Sequence, residues 1–481
     1  MQLPLEILFE PPRVELRTGA KIVGGVATVA MIVGIVGAVA IVKLGFTARP
    51  QDTGLGTLQV VSVPSGAVIE EDGRDLGRTP ALLSLPAGEH RIAVRADGYS
   101  AATYQVDLVA GETTALNADL WLQSAAGQQF RSPLPGATIA NAAFLSNGDV
   151  ALLLTLPSST ERQLWVIARN GQPERVGPAR ADRPLAISSD GTRVAYLAPG
   201  QGSRSIGGRL EEVWISGRSG AQAKREWVLP ASRKDEALVD VAWAPDGQHL
   251  LLISRQQSSV GGTRSHLLWL AIGQAEPTEI LTLPGDVLPG SYEWGPAGEH
   301  VAFLVRTQQA TSLCVLRTAD GDFRYLGDVR RNDSAALPFS PVGWAPDGGR
   351  LVYATLTATR TSNNWWLFGD GTRTALSVAD LASPQPQPLG KADGQSPAWR
   401  NDGGVVALAQ PKDNGPLVVR LVDAQGGTSL LSSLPFTPGT AYAARWDLAH
   451  AQALIATRSS TTSSGPRTDF WLVRFRQAPQ P

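Results

Sequence analysis

The residues of this chain that could do chemistry are few and widely spaced. No two histidines lie three to five residues apart, the spacing at which one element offers two ligands to a metal. The sequence has no G-x-S-x-G nucleophile elbow and no phosphate-binding P-loop. These patterns predict a protein that is not an enzyme and that needs neither a metal nor a cofactor. The histidines and the single cysteine are His90, His249, His266, His300, His450 and Cys314.

Arginine side chains recur in four long polar segments, residues 198–212, 254–266, 355–375 and 457–469. A guanidinium group can donate two parallel hydrogen bonds to a carboxylate or sulfate, and it can stack on sugars or aromatic rings. These segments are therefore candidates for binding an acidic partner. The alternative is that Arg and Ser are ordinary residues of solvated loops. The candidate arginines are Arg204, Arg209, Arg255, Arg264, Arg360, Arg373, Arg458 and Arg467.

An aromatic run, Trp365, Trp366 and Phe368, forms a second candidate binding site. Residues 369–371, Gly-Asp-Gly, predict a tight turn beside it and hence a projecting hairpin. Exposed aromatic clusters mark contact sites, because Trp brings a large area at low entropic cost. The alternative is a hairpin that folds down and caps its own sheet.

One pattern recurs seven times between residues 137 and 477: a small or aromatic anchor, a turn that is often Asp-Gly, and an apolar strand. The anchors are 43, 56, 51, 50, 55 and 47 residues apart. Such a period is typical of β-propeller blades, in which the anchor ends strand a and the turn leads to strand b. The anchors are Phe144, Ile187, Trp243, Trp294, Trp344, Trp399 and Trp446.

A third apolar strand follows in every unit, and the last unit stops after it. Residues 127–134, GQQFRSPL, are similar to residues 171–178, GQPERVGP, the fourth strand of the first unit. We therefore expect residues 127–134 to complete the last blade, which closes the ring and leaves no open sheet edge.

The motif W-x-P-D-G, best kept at residues 243–247 and 344–348, resembles the TolB-like and WD-type propeller repeats. The resemblance covers about three quarters of the chain and implies a fold rather than a function. Propellers of this kind mostly scaffold binding, and some serve hydrolases and lyases.

Residues 55–122 contain short strands and tight turns, and they resemble the PEGA domain over nearly their full length. The resemblance implies a small β-domain that is found mainly in bacterial and archaeal surface proteins, often just outside a membrane span. Ser65 stands where the family name has Glu, at a position that varies. The matching residues are Pro64, Gly66, Ala67, Asp72, Gly73, Gly77, Thr79, Pro80, Gly88, His90, Gly98, Tyr99, Gly111 and Glu112.

Residues 22–42 hold no charged residue and lie between Lys21 and Lys43. Twenty-one helical residues reach about 30 Å, the thickness of the hydrocarbon core. The segment predicts an uncleaved transmembrane helix, with a cleaved signal peptide as the alternative. Ala30, Gly34 and Ala38 form a small-residue stripe through which two such helices could associate. Three basic residues before the span and two after it favour a cytoplasmic N-terminus only weakly, and the PEGA resemblance supports the same orientation.

The sequence thus predicts an all-β protein: a cytoplasmic tail (1–21), a transmembrane helix (22–42), a PEGA-like β-domain (55–122) and a seven-bladed β-propeller (127–481). Charge is balanced, with 42 basic and 43 acidic residues, so nucleic acid is not an expected partner. We expect a bacterial cell-membrane protein whose extracytoplasmic propeller binds a protein or an acidic cell-envelope glycan. The alternatives are a membrane-tethered enzyme that acts on glycans or peptides and an accessory subunit of a larger membrane complex.

Overall fold

The computed structural model describes most of the chain from residue 54 onward. The described ranges are 54–157, 159–181, 184–203, 209–233, 235–257, 262–307, 310–331, 342–356, 358–360, 366–368, 374–383, 385–400, 403–411, 415–423, 426–437, 441–459 and 467–476. The predicted tail, the predicted span at residues 22–42 and its stripe of Ala30, Gly34 and Ala38 lie outside them. Within these ranges there is no apolar helix long enough to cross a membrane.

The first seven strands form two small sheets of the PEGA-like region, ordered β4-β1-β7 and β3-β2-β5-β6. Alternate residues point inward, so that Ile92 and Val94 on one strand and Val106 and Leu108 on the next are buried in one core, as predicted. The strands are β1 (Leu55–Val63), β2 (Val68–Glu71), β3 (Arg74–Arg78), β4 (Ala81–Pro86), β5 (Gly88–Arg95), β6 (Ala102–Leu108) and β7 (Thr113–Asp119).

Seven further antiparallel sheets follow in the part of the chain that the structure describes, and we call them blades 1 to 7. Blade 1 contains β9 (Thr138–Phe144), β10 (Val150–Thr155), β11 (Arg162–Ile167) and β12 (Pro173–Ala181). Blade 2 contains β13 (Leu185–Ile187), β14 (Arg193–Ser203), β15 (Arg209–Gly217) and β16 (Lys224–Val228). A short 3-10 helix, Ala231–Arg233, precedes blade 3, which contains β17 (Glu236–Trp243), β18 (His249–Gln257), β19 (Thr263–Ala271) and β20 (Thr278–Pro284).

In blade 4 the inner strand is split into β21 (Asp286–Val287) and β22 (Glu293–Trp294), followed by β23 (His300–Arg306), β24 (Ala310–Arg317) and β25 (Phe323–Arg331). Blade 5 contains β26 (Val342–Trp344), β27 (Arg350–Leu356), β30 (Thr374–Asp380) and β31 (Gln387–Asp393), with a separate hairpin of β28 (Ala358–Arg360) and β29 (Trp366–Phe368). Blade 6 contains β32 (Gln395–Trp399), β33 (Val405–Ala409), β34 (Val418–Val422) and β35 (Thr428–Ser433). Blade 7 contains β36 (Ala441–Asp447), β37 (Gln452–Ser459), β38 (Arg467–Arg474) and β8 (Ala126–Gln129).

The strand that completes blade 7 comes from the start of the ring, as predicted. Strand β8 pairs antiparallel with β38, and Gln129 lies opposite Trp471. The predicted strand at 127–134 is shorter in the structure and ends at Gln129. The chain then leaves the sheet toward Pro133, which has no N–H to give to a ladder. Because each blade contacts the next and β9 contacts both β36 and β38, the seven sheets form a closed ring, a β-propeller.

The anchor tryptophans of three blades join each blade to the one before it. Their position at the end of strand a places the indole N–H against the inner strand of the preceding blade. This hydrogen bond satisfies a buried donor, which explains why the repeat keeps Trp rather than another aromatic residue. Nε1 of Trp243 donates to the carbonyl oxygen of Ala186 at 3.2 Å, that of Trp344 to Glu293 at 3.0 Å, and that of Trp446 to Ser396 at 2.6 Å.

The PEGA-like region packs on one end of the ring, in the same compact unit as the blades. Trp121 is 1% exposed, and its ring stacks on Phe475 with the centroids 4.4 Å apart. The guanidinium of Arg400 lies over the Trp121 ring at 5.2 Å. Arg476 forks onto the Asp119 carboxylate, with Nε donating at 2.8 Å and Nη2 at 2.6 Å. Arg400 directly follows strand a of blade 6, and Phe475 directly follows strand c of blade 7. The PEGA-like region therefore packs on the end of the ring that holds the a–b and c–d turns.

Candidate functional site

A cavity of about 1470 Å³ lies among the inner strands of the ring. In blades 1 to 4 it is lined by strand a of blades 1 and 2, by the last four residues of strand a in blade 3, and by residues 288–292 and Trp294 in blade 4. Residues of strand b in blades 1, 4 and 7, of strand c in blades 1 and 7, and Arg445 on strand a of blade 7 complete the lining. The lining runs from the a–b end of the ring, at Trp243 and Trp294, to the b–c and d–a connections, at Arg131, Arg306 and Arg458. The cavity therefore reaches the end of the propeller opposite the PEGA-like region.

The charged residues that line this cavity are five arginines and two aspartates. Five positive against two negative charges leave the lining with a net charge of +3, and the carboxylate of Glu293, which pairs with Arg445, offsets part of it. A positive, partly enclosed site concentrates field lines and favours an anionic ligand. The seven residues are Arg131, Arg162, Arg306, Arg445, Arg458, Asp240 and Asp469.

Asp240 has a structural role at the junction of blades 3 and 4. Its carboxylate accepts hydrogen bonds from the backbone N–H of Val241 at 3.0 Å and of Gly290 at 2.7 Å. Burial raises the pKa of Asp240, although these two hydrogen bonds oppose the shift. Burial and the nearby charge of Asp240 raise the pKa of the Tyr292 hydroxyl well above its usual value. The carboxylate is committed to the backbone, which leaves it poorly placed to act as a general base.

Glu293 and Arg445 form an ion pair between blades 4 and 7. Arg445 Nη2 donates to Glu293 Oε2 at 3.3 Å. The two blades stand on opposite sides of a seven-membered ring, so the pair crosses the channel. Burial raises the pKa of Glu293, and the charge of Arg445 opposes this. The Glu293 side chain nevertheless keeps 35% of its surface exposed, so water reaches it from within the channel and moderates the effect of burial.

Of the predicted binding arginines, three have described side chains, and these differ in their surroundings. Arg458 lines the cavity and is half-buried. Arg264 is exposed on β19. Arg255 instead forms an ion pair with Asp286, between blades 3 and 4, and its side chain is 27% exposed. Arg255 therefore contributes to the packing of the ring as well as to its surface.

The other predicted binding residues are placed only by the backbone or lie outside the described residues. Arg209 begins β15, Arg360 ends β28 and Arg467 begins β38. Trp366 and Phe368 are the first and last residues of β29. Trp365, Arg204 and Arg373 lie outside the described residues.

Two residues of the aromatic run, Trp366 and Phe368, lie on the second strand of a two-stranded hairpin. Strand β28 pairs with β29, with Arg360 opposite Trp366. Residues 361–365, between the two strands, lie outside the described residues. Residues 369–371, where the sequence predicted the turn, lie outside the described residues.

The long b–c segments are strands over much of their length rather than loops. In blade 2, β14 continues to Ser203 and β15 begins at Arg209. In blade 3, β18 continues to Gln257 and β19 begins at Thr263. Antiparallel pairing satisfies the backbone N–H and C=O groups of these polar segments beyond the core of the blade. The sequence missed this because their Ser, Gly and Arg composition is that of solvated loops.

Four cavity arginines were not among the sequence candidates, and the repeat alignment holds a signal for one of them. Arg306 follows its anchor Trp294 by twelve residues, as Arg458 follows Trp446. Equivalent blade positions lie at the same height around the ring, so Arg306 could have been inferred from Arg458. Arg162 and Arg445 occupy positions that carry no arginine in other blades, so the repeat offers no such signal for them.

No cluster of three or more His, Cys, Asp and Glu residues suited to a metal ion occurs in the described part of the chain. Cys314 is buried in β24, and burial raises the pKa of its thiol to about 12, so it stays protonated at neutral pH. His300 lies against the ring of Trp344 with the centroids 6.1 Å apart. His249 stacks on Trp269 at 4.9 Å, and its Nδ1 lies 2.6 Å from Asp246 Oδ2. These two histidines therefore belong to blade packing.

Comparison with protein families confirms the predicted PEGA resemblance. Residues 55–123 match the model of the PEGA domain. No curated protein matches the chain. The chain therefore carries a PEGA domain, followed by the β-propeller that its own strand pairing closes.

Among solved structures, the chain is similar to TolB from Acinetobacter baumannii, at 15% identity and a TM-score of 0.33, over 62% of this chain and 59% of that one. It is also similar to an oligogalacturonate lyase from Vibrio parahaemolyticus, at 10% identity and a TM-score of 0.44, over 72% of this chain and 97% of that one. An acylaminoacyl peptidase from Pyrococcus horikoshii matches at 12% identity and a TM-score of 0.41, over 71% of this chain and 52% of that one. The chain thus spans less than two thirds of the TolB and peptidase chains.

Proposed function

We propose that this PEGA-domain and propeller chain is a membrane-anchored, extracytoplasmic binding protein. The observation that carries the proposal is the difference between the two ends of the ring. The PEGA domain occupies the a–b end through Trp121, Asp119 and their partners. The opposite end holds the cavity mouth and the projecting b–c hairpins, and we call it the loop face. A base at one end and an accessible positive cavity at the other suit a protein that presents a binding surface away from its support.

The chemistry of the loop face supports an acidic partner, either a protein or a cell-envelope glycan. Arg306 and Arg458 lie at the ends of two strands b, where both line the cavity. Arg264 is exposed on a third blade. Guanidinium groups at separate positions can engage several carboxylates at once, which gives geometric specificity as well as energy.

Anchoring is part of the proposal and rests on the sequence of residues 22–42. We expect protease added outside intact cells to digest the chain beyond about residue 50 and to spare the first 20 residues. The physical reason is that an apolar helix of this length spans the bilayer, and the bilayer keeps the protease away from the residues on the cytoplasmic side. The measurement is immunoblotting with tags at each terminus. Cells opened by detergent provide the control, and protection of the C-terminal tag in intact cells would show that the orientation is reversed.

Capture of a partner from native membranes tests the binding function. Tagged full-length chain should retain a specific partner, and the double substitution Arg306→Gln, Arg458→Gln should weaken its capture strongly. The double substitution Arg317→Gln, Arg350→Gln is the matched control, because both arginines pair with nearby aspartates at the other end of the ring. Equal loss of partner capture in both variants would show that the effect comes from the overall charge of the protein rather than from Arg306 and Arg458. Turnover of a glycan or peptide panel without capture would instead favour a membrane-tethered enzyme.

The hairpin of β28 and β29 provides a further test. The double substitution Trp365→Ala, Trp366→Ala should abolish partner binding with little change in melting temperature if the aromatic pair is a contact site. A hairpin that caps its own blade should instead lose about 3 kcal/mol or more of stability for each buried Trp. Thermal unfolding and capture, measured on the same preparation, separate the two. A destabilised chain that still captures its partner at low temperature would rule out this hairpin as a contact site.

A further inference from the structure

Three arginines that line the cavity have no anionic partner in the described part of the chain. Arg131, Arg162 and Arg306 form neither a hydrogen bond nor an ion pair with another described residue. Arg131 and Arg306 are exposed at the loop face, and Arg162 is half-buried. The charge of Arg162 acts on Asp240 of blade 3, so the guanidinium of a blade 1 residue faces across the channel. Cationic groups that the fold leaves unneutralised in a partly enclosed space attract an anionic ligand.

Strand pairing sets a hydroxyl group beside a guanidinium group in two neighbouring blades. In blade 1, Thr138 and Arg162 both lie opposite Thr155. In blade 7, Thr468 lies opposite Arg458. Residues that lie directly opposite each other in an antiparallel pair place their side chains on the same face of the sheet. Since Thr138, Arg162, Thr468 and Arg458 all line the cavity, each of the two blades offers one charged donor and one neutral hydroxyl to the same ligand.

Asn141 adds an amide group to the blade 1 side of the channel. Its Oδ1 accepts the backbone N–H of Ala142 at 2.8 Å, which leaves the two N–H donors of Nδ2 for a ligand. A Cβ built on Gly290 of blade 4 would lie 3.4 Å from Asn141 Nδ2, so the channel is narrow at this level. A ligand that enters from the loop face therefore meets the exposed arginines first and Asn141 where the passage narrows.

The apolar residues of the wall offer little surface for a ligand to cover. Leu185, Leu288 and Leu304 line the cavity, yet they are only 8%, 7% and 2% exposed, because they already pack in the cores of the blades. Phe470 is 1% exposed. The hydrophobic gain scales with the apolar area that a ligand removes from water, so it is small here. Affinity in this cavity has to come from hydrogen bonds and charge.

We infer that the cavity binds an acidic oligosaccharide whose sugar units carry both carboxylate and hydroxyl groups. An acidic peptide matches the arginines, but it brings fewer hydroxyl groups, and its apolar side chains find no exposed apolar wall. The volume of about 1470 Å³ exceeds the roughly 300–1,000 Å³ of ordinary small-molecule sites, which suits several linked sugar units. This inference rests on the proposed binding function and names the ligand class of its cavity. The carboxylates bind Arg131, Arg162 and Arg306, and the hydroxyl groups bind Thr138, Asn141 and Thr468.

Isothermal titration calorimetry on the full-length chain, held in detergent micelles at constant salt, tests the inference. The glycan probes are hexagalacturonate, hexamannuronate and the hyaluronan hexasaccharide. Fully methyl-esterified hexagalacturonate keeps the hydroxyl groups without the charges. Hexaglutamate with blocked termini carries as many carboxylates as hexagalacturonate but none of its hydroxyl groups. At least one acidic hexasaccharide should bind about tenfold or more tightly than either comparison probe, because only it engages both the arginines and the neutral donors.

Two substitutions separate these contributions. Arg162→Gln should weaken binding of the acidic hexasaccharide by about tenfold, because it removes a charge-assisted hydrogen bond. Thr138→Val replaces a hydroxyl with a methyl group of similar size at an exposed position, so this variant should fold even if Arg162→Gln does not. It should weaken the hexasaccharide severalfold and leave the weak binding of hexaglutamate unchanged. Arg317→Gln, at the other end of the ring, should leave every affinity unchanged.

Hexaglutamate that binds as tightly as every acidic hexasaccharide would overturn the inference and indicate an acidic protein ligand. Equal affinity for hexagalacturonate and its methyl ester, hexasaccharide binding that survives Thr138→Val undiminished, or binding of no hexasaccharide would overturn it as well. Capture of a membrane protein that depends on Arg306 and Arg458 would then still uphold the proposed function. The proposed function itself fails only if no probe binds and no partner is captured.

Discussion

A fragment that begins at residue 137 is expected to melt about 5 °C below one that begins at residue 125. The longer fragment keeps β8, whose four residues pair with β38. Loss of about four backbone hydrogen bonds, at roughly 1 kcal/mol each, lowers the free energy of unfolding by about 4 kcal/mol. Unfolding entropy grows with chain length, so a fragment of roughly 350 residues shifts by about 1.4 °C for each kcal/mol, which gives a shift of about 5 °C. Differential scanning calorimetry of the two fragments measures it.

The shorter fragment should also aggregate, because the edge of β38 carries the apolar run FWLV without a partner strand. Light scattering during the same melt detects this. A fragment that begins at residue 130 serves as an intermediate, since it keeps Phe130, whose N–H donates to the Phe470 carbonyl oxygen at 2.8 Å, but lacks the strand. Equal melting temperatures for the fragments beginning at residues 125 and 137 would show that β8 does not close the ring.

Substitution of Trp121 by Ala should release the PEGA domain from the propeller. Trp121 is 1% exposed, stacks on Phe475 and lies 6.1 Å from the Trp446 ring. Removal of a buried Trp costs about 3–5 kcal/mol. The guanidinium of Arg400 would also lose the ring beneath it. Limited proteolysis should therefore cut the Trp121→Ala chain between residues 119 and 126 at a protein concentration and temperature where the parent chain stays intact.

Leu82→Ala is the matched control for this substitution. Leu82 belongs to the same domain but is 70% exposed, so its truncation should leave both the melting profile and the proteolysis pattern unchanged. A Trp121→Ala chain that resists cleavage as the parent does would show that the aromatic stack is not needed to hold the two parts together.

The blades could be predicted from the sequence because each one repeats the same local sequence pattern. An Asp followed by Gly turns the chain between strands a and b. In blade 3, for example, Asp246 Oδ1 accepts the backbone N–H of Gln248 at 2.8 Å, and Gly247 has a φ of 63°. Glycine tolerates this left-handed conformation, whereas most residues do not. The anchor Trp and the apolar strand that follows are equally local, so the pattern stands out in each copy.

The cavity and the docking of the PEGA domain could not be predicted in this way. Glu293 and Arg445 lie 152 residues apart and meet only because the ring brings blades 4 and 7 to face each other. Trp121 looked like the end of a small domain, yet its partner Phe475 lies near the other end of the chain. Contacts of this kind depend on closure of the whole ring, which no local pattern encodes.

Site-specific photo-crosslinking from the two ends of the ring tests the central claim most directly. A photoreactive amino acid at position 264, exposed on the loop face, is compared with one at position 192, exposed in the a–b turn of blade 2. Irradiation of native membranes that carry each full-length chain should yield a defined partner adduct from position 264 and none from position 192. Adducts from position 192 alone would contradict the account, because they would place the binding surface on the same end of the ring as the PEGA domain.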